Sequence, residues 1–257
     1  MFPEGVERDS EFMFARMAEA TYAAMRAKPG GRVLDTAAGM GPDSRALAER
    51  GIYTTNLEPS RTLTELEQLV AEKEGWTDWG SQITRVRAWG EALPFASESF
   101  DASFCKGSLD HFDDPEACIA EMARVTKRDG RVVLTVANME SISLELARFA
   151  DRRGKMPRRV LPARRHYDAP ADHITRYDAR LLREHAERFI HIETWFGISL
   201  FWGNQRWARF LRGLEERRAD RVLRVVDSIA RRVPSWADLI VVAGHPRRPA
   251  PLRTHRP

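Results

Sequence analysis

The chain of 257 residues is 43% hydrophobic and 30% charged, the make-up of a soluble globular protein with a sizeable core. No apolar run approaches a membrane span and the N-terminus lacks a basic-then-apolar leader pattern, so the expectation is a cytoplasmic protein. A formal net charge of +4 hides an asymmetry: residues 1–147 hold 16 Lys/Arg against 25 Asp/Glu, residues 148–257 hold 25 against 12. Asp9 to Arg26 then reads as an amphipathic helix, with Phe14, Met17, Thr21 and Met25 at helical spacing. Such a helix either packs on the core or forms a lid over a ligand.

Lys28 to Gly31 is a turn signal, and Val33 and Leu34 begin a buried strand that ends at Asp35. Ala37, Ala38, Gly39 and Gly41 follow, small enough for a tight loop and for close approach of a ligand to the backbone. Pro42 suits the first position of a helix that runs to Arg50 and is stopped by Gly51. Strand, small-residue loop and helix start make a nucleotide-type site. Neither the Gly-x-Gly-x-x-Gly of a dinucleotide fold nor the Gly-Lys-Ser/Thr of a phosphate loop is present. A carboxylate at Asp35 would repel phosphates and suits a ligand that carries an ammonium and a sulfonium.

Ile52 to Leu57 reads as the second strand. Glu58 at its end lies 23 positions beyond Asp35, close to the offset of a ribose-binding acid. Ser60 is a candidate N-cap for a helix through Leu63, Leu66 and Val70. Ala102 to Cys105 is a short apolar strand and Pro115 to Lys127 a helix with Cys118, Met122 and Val125 on one face. Gly130 reads as the stop of that helix, and Val132 to Val136 as a strand buried on both faces. Cys105 and Cys118 have no ligand spacing and read as reduced core thiols, and no metal site is expected.

Within this stretch stand Leu93-Pro94-Phe95, Glu98-Ser99-Phe100-Asp101, Leu109-Asp110-His111-Phe112, Asp114-Pro115 and Glu121-Met122-Ala123-Arg124-Val125-Thr126-Lys127. In this order, and with Asp35 to Gly41 before them, they resemble the class I S-adenosylmethionine-dependent methyltransferases, in the type-11 branch of ubiquinone and menaquinone biosynthesis. The resemblance covers residues 30 to 136. It implies a Rossmann-like, doubly wound α/β fold with a seven-stranded, mostly parallel sheet in the order 3-2-1-4-5-7-6 and helices on both faces. It also implies a site for S-adenosylmethionine, leaving S-adenosylhomocysteine as product, built from Asp35, Thr36, Ala37, Gly39, Gly41, Glu58, Pro59, Trp89, Gly90, Glu91, Lys106 and Gly107. Trp89 stands where the family has an Asp for the adenine amino group. It is read as an aromatic wall or as a packing residue.

Beyond Asn138 the expected organisation is a helix over Ser141 to Asp151, then a basic, Pro-punctuated cap. Asp178 caps a helix through His185, Phe189 to Leu200 forms a sixth strand, and Ala237 to Ala243 a last one. Between those strands Trp207 to Val233 reads as one long helix with Phe210, Leu214, Val222, Val225 and Ile229 inward. In domain terms, residues 1–245 make one methyltransferase domain: lid helix 9–27, cofactor core 30–138, cap 139–175 and helical insertion 203–233. Residues 246–257 are a disordered basic tail.

Methyl transfer needs chiefly an acceptor held in line with the methyl group, plus a base for O- or C-methylation. His111, after the fourth strand, is the candidate base, with a structural role for the loop as the alternative. Arg158, Arg159, Arg164, Arg165, His166, Tyr167 and His173 are candidates for gripping an anionic or partly apolar small-molecule acceptor. The alternatives are an RNA methyltransferase, disfavoured for want of a binding module, or a non-catalytic S-adenosylmethionine-binding protein. Monomer and homodimer stay open.

Overall fold

Val33 and Leu34, both fully buried, lie at the middle of a sheet: β1 (Arg32–Thr36) is flanked by β2 (Tyr53–Leu57) and β4 (Phe100–Lys106). The computed structural model describes residues 7–75, 81–153 and 174–247. With β3 (Ile83–Val86), β5 (Thr126–Ala137), β6 (Ile190–Ile198) and β7 (Leu239–Pro246), the described residues form one seven-stranded sheet in the order β3-β2-β1-β4-β5-β7-β6. Strand β7 is antiparallel to both neighbours and the other pairings are parallel. The fold class and strand order are those implied by the resemblance.

Period-two alternation divides the core between the two faces of the sheet. In β5, Val133 meets Met17 and Met25 of α1 (Arg8–Met25), whereas Val132, Leu134 and Val136 meet the other layer. That layer is α4 (Pro115–Val125), through Cys118, Ile119 and Met122, and α6 (Ala179–Phe189), through Leu182 and Ala186. Each of these Val, Leu, Ile and Met side chains contributes about 1.5–3 kcal/mol by leaving water. The remaining helices are α2 (Pro42–Ala48), α3 (Arg61–Lys73), α5 (Ile142–Arg152), α7 (Gln205–Arg212) and α8 (Glu216–Arg232). Helix starts follow local chemistry: Ser60 Oγ accepts from Leu63 N at 3.3 Å, Asp114 Oδ1 from Ala117 N at 2.9 Å, and Asp178 Oδ1 from Leu181 N at 2.7 Å.

Several expectations are corrected. Helix α4 ends at Val125 and β5 starts at once at Thr126, so Gly130 is a strand residue and stops no helix. A side chain there would strike Asp101 O and Thr126, which is why glycine stands in it. The segment expected as one helix from Trp207 is α7 and α8, broken at Gly213. Phe210, Val225 and Ile229 are exposed, and the inward stripe is Leu211, Ala219, Leu223 and Ala230. In α3 the buried positions are Glu67 and Ala71, while Leu66 is exposed. Strand β3 is short, at the sheet edge and partly polar, and periodicity missed it. Pro246 belongs to β7, opposite Ile190, and not to the tail.

Helix α1 lies flat on the sheet, with Thr21 Oγ1 3.0 Å from Thr135 Oγ1 and Arg131 Nε donating to Ala24 O at 3.3 Å. It is thus a packing helix along its length, antiparallel to β5. Its first turns reach the carboxyl edge of the parallel strands, where open sheets of this kind bind ligands.

The connection from β6 to α7 also ends at that edge. Ser199 N donates to Asp227 Oδ1 at 3.2 Å, Trp202 N to Asp238 Oδ2 at 2.9 Å, and the Gly203 backbone to Asp9. Asp238 is buried and also accepts from Ser143 Oγ at 2.7 Å. Burial pushes its carboxyl up to about 6, above the ordinary 3.8. With the folded value the higher, the group's contribution to stability is full below pH 3.8 and is lost as pH rises through 6. Asn can accept from Trp202 N on its oxygen and donate its amide nitrogen to Ser143 Oγ, without the charge. Asp238→Asn is therefore expected to raise stability at pH 8 by about 2–3 kcal/mol, with the difference vanishing near pH 4. Thermal melts across that range check it; a pH-independent loss of stability is the contrary result.

Candidate active site

Asp35 and Thr36, both buried, end β1, and the chain turns through Ala37 (φ 69°), Gly39 (φ 58°) and Gly41 (φ 66°) into α2. The amides of Ala37 and Ala38 donate to Leu57 O at 3.0 and 2.9 Å, tying this loop to the end of β2. A Cβ on Gly41 would run into the Glu67 carboxylate and the Asn56 amide, so only glycine fits there. Glu58, at the end of β2, accepts from Gly39 N on Oε2 and from Ser60 N on Oε1, both at 2.9 Å. Each oxygen keeps a lone pair for a hydroxyl. Pro59 follows it, partly buried.

After β3 comes Trp89, 66% exposed, which excludes the packing role. Gly90 is buried, and a Cβ there would meet the Phe112 ring and Cys118 Sγ. Glu121 and Arg124, three apart on α4, fasten the next residues: Leu93 N donates to Glu121 Oε2 at 2.9 Å, and Arg124 donates to Leu93 O at 3.0 Å and Phe95 O at 2.8 Å. That clamp is the physical reason for the Glu-x-x-Arg spacing.

After β4, Gly107 (φ 71°) donates its amide to Thr135 O at 2.7 Å. His111 closes the 3-10 turn Leu109–His111 and is exposed, its Nε2 4.0 Å from Asp110 Oδ1. The turn is held from outside, because Ile174 N and Thr175 N donate to Asp110 O at 2.8 and 3.1 Å. The sequence-nominated cofactor residues thus share one edge of the sheet. Arg158, Arg159, Arg164, Arg165, His166, Tyr167 and His173 lie outside the described residues.

Sequence reasoning missed the polar network beneath this edge. Lys106 Nζ donates to Asp43 Oδ1 at 2.6 Å, and Tyr22 OH donates to the same oxygen. Glu67 accepts from Asn56 Nδ2 at 2.6 Å and pairs with Arg85 at 3.2 Å. The one available signal was Asp43 itself, an acid in the first turn of a helix that begins with proline. Burial, with Asp43 as the next cause, holds the Asp35 carboxyl well above the usual carboxylate range, and Lys106 opposes the shift. Burial likewise raises Glu67.

Asp35 Oδ2, Thr36 Oγ1 and Glu91 Oε2 are buried without a hydrogen-bond partner among the described residues. Buried polar atoms are ordinarily satisfied. Three orphans on residues nominated for one ligand fit a polar ligand at this edge. The cluster of Asp35, Asp43 and Lys106 has one net negative charge when Asp35 is ionised, which fits the net positive charge of S-adenosylmethionine. Among the described residues no three His, Cys, Asp or Glu are grouped to hold a metal ion, and no helix is long and apolar enough to cross a membrane.

Comparison with known proteins agrees. Residues 34–134 match a family model described as a methyltransferase domain. A demethylmenaquinone methyltransferase of Renibacterium salmoninarum is 38% identical over 111 residues, 43% of this chain and 43% of that protein. The chain thus matches less than half the length of this curated relative. Among solved structures, YcgJ of Bacillus subtilis superposes with a TM-score of 0.57 at 16% identity, covering 92% of this chain and 100% of that one. The cyclase SpnF superposes with a TM-score of 0.58 at 18% identity, over 92% and 82% of the two chains. These likenesses show a shared fold. The family match covers residues 34–134 of the 257, so this stretch is similar to a methyltransferase domain, and the whole chain shares the strand order and fold of the solved structures.

Proposed function

We propose that the protein transfers the methyl group of S-adenosylmethionine to a small molecule with an apolar body and an anionic group. The observation that carries the cofactor part is the set of orphaned polar atoms on Asp35, Thr36 and Glu91 at the carboxyl edge of the sheet. Asp35 holds the ammonium of the methionine moiety and Glu58 accepts from the ribose hydroxyls. Trp89 covers the adenine ring, a contact of about 0.5–1.5 kcal/mol beyond area burial. The backbone of Gly90 and Glu91 supplies the adenine edge, and the Lys106–Gly107 turn faces the methionine. The bound cofactor supplies a methyl group already activated by its sulfonium, so this chain's own task is to position the acceptor and exclude water.

His111, exposed in the turn after β4, is the residue proposed to take the acceptor's proton, since a neutral imidazole nitrogen can accept one. The basic surplus of residues 148–257 supports an anionic acceptor. The name of the Renibacterium relative points to a quinone-type ring, which supports the apolar body of the acceptor. Calorimetric titration tests the cofactor part: S-adenosylmethionine and S-adenosylhomocysteine are both expected to bind in the micromolar range. Absence of binding to folded protein would refute it, and with it the transfer reaction.

A further inference from the structure

The connection from β6 to α7, residues 199–204, has three left-handed residues: Ser199 (φ 60°), Phe201 (φ 69°) and Gly203 (φ 76°). Two of these are not glycine, and such backbone persists only where the surroundings over-determine it. Here three buried carboxylates on three separate elements do so: Asp227 on α8 holds the Ser199 amide, Asp238 before β7 the Trp202 amide, and Asp9 on α1 the Gly203 backbone. The loop is therefore a fixed wall.

What it fixes is Trp202. The indole Nε1 donates to Ser10 Oγ at 2.9 Å, and the ring meets Phe14 edge-on with centroids 6.3 Å apart. Both rings stay partly in water, Phe14 at 37% and Trp202 at 39% exposed, although their neighbours Met13 and Met17 are buried. Their place in the fold is specific. Met17, one turn along α1 from Phe14, lies within 4.0 Å of where a Cβ of Gly107 would stand. Asp238, which holds the Trp202 amide, also accepts from Asn138 N at 2.9 Å, just past the end of β5. A chain of contacts thus runs from the turn after β4, along α1, to an aromatic pair anchored at the ends of β5 and β7.

From this we infer that Phe14 and Trp202 form the acceptor-binding wall and select a planar, apolar ring. The inference rests on the methyltransferase reading and deepens it. A rigid aromatic pair costs little conformational entropy to bind against, and edge and face contacts favour flat partners. The pre-organised backbone explains why so much strain is held in six residues far along the chain from the cofactor loop.

A fluorescent planar probe with one anionic group, 1-hydroxy-2-naphthoate, tests it by titration into protein saturated with S-adenosylhomocysteine. The expected result is saturable binding to the wild type, weakened about tenfold or more in Trp202→Ala and in Phe14→Ala and largely kept in Trp202→Phe, where tenfold is about 1.4 kcal/mol. S-adenosylhomocysteine affinity, titrated first on every variant, should not change and shows that each one folds. Equal probe affinity in wild type and alanine variants overturns the wall, as does wild type that binds S-adenosylhomocysteine but not the probe. Folded wild type that binds no S-adenosylhomocysteine overturns the methyltransferase reading instead, and this inference falls with it.

Discussion

Asp35→Ala and Glu58→Ala are each expected to lower the affinity for S-adenosylmethionine by a hundredfold or more while leaving the protein folded. A lost charge-assisted bond to a buried site costs about 1.5–3 kcal/mol, and the orphaned partner on the ligand adds to it. The two differ in stability. Asp35 is buried, its Oδ2 makes no bond among the described residues, and burial holds its carboxyl above the usual range. Its removal is therefore expected to stabilise the ligand-free protein at pH 7, because a carboxyl raised on folding opposes stability as soon as pH exceeds its ordinary unfolded value. Glu58 instead ties Gly39 and Ser60 together, and its loss should cost about 1–2 kcal/mol.

Asp35 also sets a pH dependence. A cationic ammonium beside it favours the carboxylate, so binding releases a proton wherever the ligand-free carboxyl is still protonated. Affinity is then expected to rise with pH through the ligand-free Asp35 titration and to become flat in Asp35→Asn. Calorimetry in buffers of different ionisation enthalpy reads the proton directly. A proton taken up on binding would contradict the role given to Asp35.

Lys106→Met is expected to be the most destabilising single change at the site. The ammonium is paired with Asp43 in surroundings where Lys106 is 15% and Asp43 5% exposed in the side chain. Removing one partner of a buried pair leaves the other charge uncompensated, at about 3–5 kcal/mol in fully buried cases; partial exposure brings this toward 3. Tyr22 still donates to Asp43, which softens the loss. Without the lysine, Asp35 loses the cation that lowers it and rises further. The destabilisation should therefore shrink as pH falls and Asp35 takes up its proton. The double variant Lys106→Met with Asp43→Asn should recover most of the stability, since neither charge then remains. Denaturant unfolding of the four proteins in the cycle measures the coupling, and additive losses would show that the pair contributes nothing.

Much of this was legible from residues that act on their near neighbours. Asp35 at a strand end, the small residues from Ala37 to Gly41, Glu58 after the second strand and the caps Ser60 and Asp178 all work over short separations. Their types alone therefore indicate strand end, loop and helix start. The Glu121–Arg124 pair could be seen by its spacing, though not what it grips. The order of the sheet came with the family pattern, because a continuous apolar run marks a buried parallel strand but not which strand lies beside it.

Other features were settled only when distant segments met. Lys106 and Asp43 are 63 positions apart, and Trp202 and Ser10 are 192 apart. Nothing local to either residue announces the partner. Glu67 on α3 is buried because Asn56 and Arg85 satisfy it from two strands, and no local pattern marks it. That the segment after Trp207 is two helices and not one was settled by the break at Gly213, which the apolar pattern running past Arg212 does not mark. The sequence by itself determined where acids and small residues stand at the strand ends, since a strand end, a tight loop and a helix start are marked by residue type. Only the tertiary structure decided what keeps the carboxylates of that edge charged or neutral and what walls its outer side, because burial and long-range pairing exist only once the chain has closed on itself.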